Sequence, residues 1–333
     1  QANLSGTNLS GVDLSRANLH WIDSINSRWV TGSSRWITGD PHLHTSCNIS
    51  FSNESLVSMM VENELNVVSV LVWGHMYELD RPFFTGEDNP LSLPEHILHY
   101  DLEVSSFAAD HTGHLNILGL SDIDFSDNPY DHPRTGLPIV EWAKAQNDRV
   151  VVGMNHAQSW PDEDGVFPSN LGLGTPFEFP VHVANGTASF LEIERGWSEV
   201  ETGSPISKGA MNLWRVLQNS GFRISITGAS DFLCLTQDLS LPNIMRTYIL
   251  IDRELSYKAY LNGIKAGRTV AALGSHDWMT FTISKDDNTT TTDNSTSYFA
   301  RLGDEIQVGY FESFLVSITS NFIQIETVRI LDG

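Results

Sequence analysis

Short apolar runs recur along the middle of the chain, each closing on polar residues and each followed by loop or helical text. Val67-Val68-Ser69-Val70-Leu71-Val72-Trp73 is the clearest, and residues 97–105, 115–120, 150–155, 223–228 and 246–251 repeat the theme. Such runs read as strands. Residues 53–66, 139–144, 208–220 and 256–267 carry apolar positions at helical spacing, and in the third of these Met211, Leu213, Trp214 and Leu217 share one face as core. Strand and helix taking turns in this way predict an α/β domain. Beyond residue 274 the helices stop, and 281–284, 306–308, 314–320 and 327–331 read as strands of a small β-sandwich with a polar hairpin loop at 286–297.

Residues 2–20 obey a different rule. Leu4, Leu9, Leu14 and Leu19 repeat every five residues, each preceded by Asn or Asp. This resembles the pentapeptide-repeat family, which implies a four-sided β-helical coil with the central leucines turned inward. Four such repeats make about one coil, and a solenoid buries its ends only against neighbours. A homo-oligomer or filament contact through this segment is therefore expected. The boundaries that follow are a repeat segment at 1–20, a connector at 21–38, a catalytic-type domain at 39–274 and a C-terminal β domain at 275–333.

The polar residues at the ends of the apolar runs bring the chemistry. Gly39-Asp40-Pro41-His42-Leu43-His44 closes the first run, and two histidines one residue apart on a strand turn their rings the same way. Downstream come Gly74-His75, Glu103 inside a strand-like segment, Gly113-His114, Asn155-His156 and Ser230-Asp231. Barrel enzymes assemble their sites from such strand ends. Glu192 and Glu194 also share a strand face, where a solvated or ion-paired role outweighs an acid–base one. Long loops rich in Pro and acidic residues at 76–93, 122–138 and 160–179 would wall a substrate cleft.

This succession of His-x-His, Gly-His, strand Glu, Gly-His, Asn-His and Ser-Asp resembles the polymerase-and-histidinol-phosphatase (PHP) superfamily. Within it the text looks most like the carbaryl-hydrolase-like (CehA/McbA) metallohydrolases, over roughly residues 39–274. The resemblance implies a distorted barrel of seven strand–helix units with two divalent metal ions, zinc, manganese or iron, at the C-terminal face. His42, His44, Glu103 and Asp231 would hold one ion, and Glu103 would bridge to a second held by His114 and His156. Imidazole and carboxylate donors suit those ions, which would activate a water against an ester, amide or carbamate bond. Where the wider superfamily has Asp and His, this chain has Gly74 and Leu233, so a third ion is not expected. His75 is then left to act on the substrate, to shuttle a proton or to fill space.

Two cysteines, Cys47 and Cys234, flank the first and last ligand motifs. In a barrel whose first and last strands are neighbours they would form a disulfide, with two buried thiols or a thiolate ligand as alternatives. Sequons at Asn48, Asn53, Asn185, Asn288 and Asn294 fit a secreted, extracellular glycoprotein, and a chain starting at Gln1 reads as processed or as part of a longer one.

Composition narrows the partners. A net charge of -22, with 41 acidic against 19 basic residues, is the wrong sign for nucleic acid. No apolar run approaches the ~20 residues of a membrane span. A small-molecule substrate is expected, with phosphoesters disfavoured because only Arg81, Arg134 and Arg195 lie in the nearby loops. The competing expectation is a retired PHP-like barrel serving as a glycosylated extracellular structural protein.

Overall fold

The computed structural model describes residues 2–3, 35–45, 52–74, 77–105, 113–125, 135–155, 157, 178–193, 208–232, 245–252, 254–273, 279–285 and 314–320. They divide into two compact units, Gln1–Arg35 with His276–Gly333, and Trp36–Ser275. Strand β1 (Ala2–Asn3) belongs to the first of these.

The larger unit alternates strands and helices. In chain order come β2 (Arg35–Leu43), α1 (Asn53–Glu62), β3 (Val67–Trp73), the single turn α2 (Tyr77–Asp80), β4 (Ile97–Val104), β5 (His114–Leu118), α3 (Leu137–Gln146), β6 (Val151–Asn155), α4 (Phe179–Ala184), β7 (Phe190–Ile193), α5 (Lys208–Asn219), β8 (Ser225–Gly228), β9 (Met245–Ile251), α6 (Tyr257–Lys265) and β10 (Thr269–Leu273). Local signals set several boundaries. Ser52 caps α1 by accepting the Ser55 N–H, and Ser256 caps α6 by accepting that of Ala259. Pro138 sits in the first turn of α3, where its missing N–H costs nothing.

The nine strands form one mixed sheet in the order β10-β9-β2-β3-β4-β5-β6-β7-β8. β2, β3 and β4 run parallel, β5 is antiparallel to both neighbours, and β6, β7 and β8 are again parallel. The sheet curls until its ends almost meet. Leu43 bridges Phe232 beyond β8, and the Gly228 N–H donates to Thr247 Oγ1 of β9. Among the described residues the result is a nearly closed, barrel-like sheet of nine strands, in which β5 and β10 run antiparallel to their neighbours.

Alternation along each strand sorts residues to the two faces. Outward residues such as Leu98, Tyr100 and Leu102 of β4 join the large apolar cluster that includes Leu56, Val140 and Leu213 of the helices. Inward residues change character along the barrel axis. Ile37, Val67, Ile97, Leu118 and Val151 form an apolar floor with Tyr257, Tyr260, Leu261 and Ile264 of α6, so α6 plugs the end where β2, β3, β4 and β6 begin. At the opposite rim the same strands present His42, Glu103, Asn155 and Glu192, all buried. The plug is pinned by polar contacts: the Ser69 and Tyr257 hydroxyls lie 2.7 Å apart, and Tyr257 donates to Asp101, which also accepts the Gly119 N–H at 2.6 Å.

One irregularity decides what the rim carries. Odd residues Ile37 and Gly39 of β2 face the α6 plug, where a Cβ on Gly39 would come within 2.6 Å of the Tyr260 ring. Past Asp40 the register against β3 shifts, Asp40 pairing with Val68 but Leu43 with Val70, which is a bulge of one residue. Pro41, unable to donate to a ladder, sits inside it. The bulge moves the inward phase from odd to even residues. His42 and His44 therefore face the interior.

The smaller unit is an antiparallel three-stranded sheet, order β1-β12-β11, built with β11 (Met279–Lys285) and β12 (Phe314–Ser320). Ala2 pairs with Ser320, and Phe281 with Ile318. The strands expected at 306–308 and 327–331 lie outside the described residues.

Gly153 of β6 stands opposite the Phe190 ring, 2.2 Å from where a Cβ would be. Gly153→Ala should lose about 1–3 kcal/mol of stability by overpacking this layer; denaturant unfolding with an unchanged midpoint would contradict the packing described.

Candidate metal centre

The rim gathers ligands from distant parts of the chain. His42 and His44 close β2, Glu103 stands near the end of β4, His114 opens the antiparallel β5, and Asp231 follows β8. All five are buried. The donor atoms of His42, His44 and Asp231 lie within 4.8 Å of one another, a set able to hold a metal ion.

The ring nitrogens fix the argument. His42 Nδ1 lies 2.8 Å from Glu192 Oε1, and His44 Nδ1 lies 3.0 Å from the Leu71 carbonyl oxygen. A carboxylate and a carbonyl can only accept, so both Nδ1 atoms carry the proton. Both Nε2 atoms then turn their lone pairs on each other, 3.0 Å apart. Only a proton or a cation between them makes that contact favourable.

Carboxylates close in from both sides of the pair. Asp231 Oδ1 is 3.2 Å from His42 Nε2 and 3.4 Å from His44 Nε2. Glu103 Oε2 is 3.5 Å and 3.1 Å from the same two atoms. Donors about 2.0–2.2 Å from a shared tetrahedral ion sit roughly 3.3–3.6 Å apart, so these separations need little adjustment to coordinate one. Glu103 turns its other oxygen the opposite way: Oε1 lies 2.9 Å from His114 Nδ1 and accepts the Asn155 amide at 3.0 Å. One Glu103 oxygen thus faces the His42–His44 pair and the other faces His114.

A second layer orients the first. Glu192, fully buried, holds His42 with Oε1 and accepts the Asn116 amide at 2.9 Å with Oε2. Carboxylate–histidine pairs of this kind set tautomer and ring angle at metal sites. Asp231 adopts a left-handed backbone, φ 44°, held by its N–H to the His42 carbonyl at 3.0 Å, while the His44 N–H reaches Phe232 O at 3.1 Å.

Electrostatics make the same demand. Burial pulls the His42 imidazole toward neutrality, but Glu192, Asp231 and Glu103 oppose it, and the balance leaves its pKa well above the usual value. His44 is likewise depressed by burial and raised by Asp231 and Glu103, with a net rise. Burial drives the Asp40 carboxyl up to about 7 against its hydrogen bonds from Ser230 and His42. Without metal, the nest collects protons.

Of the residues singled out in the sequence, His42, His44, Glu103, His114 and Asp231 come together. His75, His156, Cys47, Cys234, Asn48, Asn288 and Asn294 lie outside the described residues. Asn53 begins α1 half-buried, its side-chain oxygen accepting the Tyr100 hydroxyl at 2.6 Å, while Asn185 is exposed in the turn after α4. Glu192 does take the ion-paired role expected of its strand, with a ligand histidine as partner. Asn116 belongs to no motif, and Asp40 and Asn155 entered the motifs only as neighbours of histidines; all three acquire roles when the barrel closes.

Comparisons with known proteins add the N-terminal segment. A family model for pentapeptide repeats (8 copies) matches residues 1–23, in line with the five-residue leucine period. No curated protein matches the chain. Among solved structures it is similar to PsfC from Pseudomonas syringae, at 11% identity and a TM-score of 0.46, covering 72% of this chain and 92% of that one. It is also similar to a two-domain protein from Bacteroides vulgatus described as containing a predicted PHP-like metal-dependent phosphoesterase, at 12% identity and a TM-score of 0.44, covering 93% of this chain and 92% of that one. Neither bears on the narrower carbaryl-hydrolase-like family. Among the described residues no helix is long and apolar enough to cross a membrane.

The histidine shifts set a pH dependence. Groups whose folded pKa is raised stabilise the fold fully below their unfolded values, about 6.5 for imidazole, and lose that contribution as pH climbs through the folded value. Asp40, raised to about 7, penalises folding once ionised and so acts in the same direction. In chelator the protein should therefore lose melting temperature as pH climbs from about 6.5, and the gain on adding zinc should grow over the same range because ligands bind deprotonated. A zinc-induced gain that shrinks with rising pH would contradict the nest.

Proposed function

We propose that the protein is a dinuclear metal-dependent hydrolase of small neutral ester, amide or carbamate substrates. The observation that carries this reading is the facing pair of Nε2 atoms, 3.0 Å apart with both Nδ1 positions occupied by acceptors. His42, His44, Asp231 and Glu103 would hold the first ion, and Glu103, His114 and His156 the second. Mixed imidazole and carboxylate donors favour zinc, manganese or iron. When bound, such ions supply a water nucleophile at neutral pH and polarise the bond to be cleaved.

The chain's own contribution is rigidity and dryness. Glu192 keeps the proton on His42 Nδ1, so Nε2 stays available as a donor atom. Asn155 and Asn116 hold Glu103 and Glu192 at fixed angles, and the α6 plug shuts the far end of the barrel, leaving the rim as the approach. His75, two residues beyond the end of β3 in the sequence, is assigned to move a proton to or from the substrate.

Arg81 supports the preference for uncharged substrates over phosphoesters. Its guanidinium is committed to Asp124 through bonds of 2.8 and 2.6 Å, which leaves it poorly placed to clamp a phosphate. The sequons, with Asn185 exposed in a turn, support an extracellular location.

A second reading, a non-catalytic extracellular scaffold associating through its N-terminal segment, is favoured by the pentapeptide-repeat match over residues 1–23. One experiment separates the two. Zinc- or manganese-loaded protein should hydrolyse members of a panel of aryl esters, anilides and carbamates in preference to phosphomonoesters, and Glu103→Ala should fall to background. Metal-replete protein inert on the whole panel would favour the scaffold.

Glu192→Gln supplies an independent check. An amide in place of the carboxylate no longer demands a proton on His42 Nδ1, and metal affinity should drop by roughly 10–100-fold. Unchanged affinity by competition with a chromophoric chelator would remove Glu192 from the site.

A further inference from the structure

Asp40 belongs to no ligand set, yet it touches the parts of the chain that carry three of the proposed ligands. It is fully buried at the start of the β2 bulge. Its Oδ1 accepts two backbone N–H groups, that of His42 at 3.1 Å and that of Ser230 at 3.2 Å, and its Oδ2 accepts the Ser230 hydroxyl. The first bond spans Pro41 and closes a local turn, the short-range pattern by which Asp side chains shape a backbone. It thereby supports the phase switch that turns His42 and His44 inward. The other two bonds reach 190 residues along the chain to the residue immediately before Asp231.

Asp231 needs such a hold. Its φ of 44° is a conformation that a non-glycine residue keeps only when its surroundings over-determine it. The backbone bonds between Asp231 and His42 and between His44 and Phe232 restrain one side of that residue. Ser230, latched on Asp40, restrains the other. The same carboxylate therefore sets both the bulge in β2 and the strained ligand loop after β8.

We propose that Asp40 is a positioning residue: through His42 and Ser230 it locks the two ligand-bearing segments together, so that His42, His44 and Asp231 are pre-set to receive one cation. This rests on the metal-centre reading above. An aspartate here, rather than a hydrophobe, is explained by the number of donors converging on one buried point, three from two segments.

Cobalt(II) tests the latch, because its visible d–d bands report coordination geometry directly, apart from any catalysis. Wild-type protein should bind cobalt with intense bands of low coordination number. Asp40→Ala should bind roughly 10–100-fold more weakly, with shifted and weakened bands. Asp40→Asn, whose side-chain oxygen still accepts the two N–H groups, should recover most of both. Ser230→Ala, which removes only the hydroxyl donor, should fall several-fold below wild type. Asp40→Ala with wild-type affinity and spectrum would overturn the latch. If that variant does not fold, Ser230→Ala decides: wild-type behaviour there overturns it. Wild-type protein that takes up no cobalt would instead refute the metal centre itself.

Discussion

Two buried imidazoles turn unprotonated nitrogens on each other at 3.0 Å, with carboxylates on either side. In a low-dielectric interior that arrangement holds only around positive charge. Much of the rest of the domain reads as the means of producing it. The sheet must curl far enough to bring the chain beyond β8 against β2, because Asp231 follows the one strand and the two histidines close the other. The chain must turn back from β4 into antiparallel β5 at the same rim, because Glu103 and His114 meet there. The floor must be sealed, and α6 seals it with Tyr257, whose hydroxyl finds Ser69 and Asp101 beneath the polar layer, and with the Tyr260 ring.

The outline of this domain was legible in the chain. Apolar runs such as 67–73 announced strands, and helical spacing placed α1, α5 and α6. The five-residue leucine period announced the N-terminal repeats. Polar residues at the ends of apolar runs marked the rim, and five of the proposed ligands are found there. β10 was less legible, since it is five residues long and is defined by its antiparallel pairing with β9.

The site's deeper layer was not legible, for a physical reason. The expectation that His42 and His44 share a face is met, but the face they share is decided by the bulge at Asp40-Pro41, which a period of two does not contain. Glu192 looked like an ordinary polar position on a strand because its partner lies 150 residues away. Asp40, Asn116 and Asn155 are likewise defined by closure of the sheet. Local sequence specifies elements well; long-range partners appear only once topology has brought them together.

The direct test of this account is anomalous diffraction from crystals grown with zinc. It predicts a strong peak about 2.0–2.3 Å from His42 Nε2, His44 Nε2 and an Asp231 carboxylate oxygen. A well-ordered rim with no anomalous density between the two histidines, at zinc concentrations that load surface sites elsewhere, would contradict it.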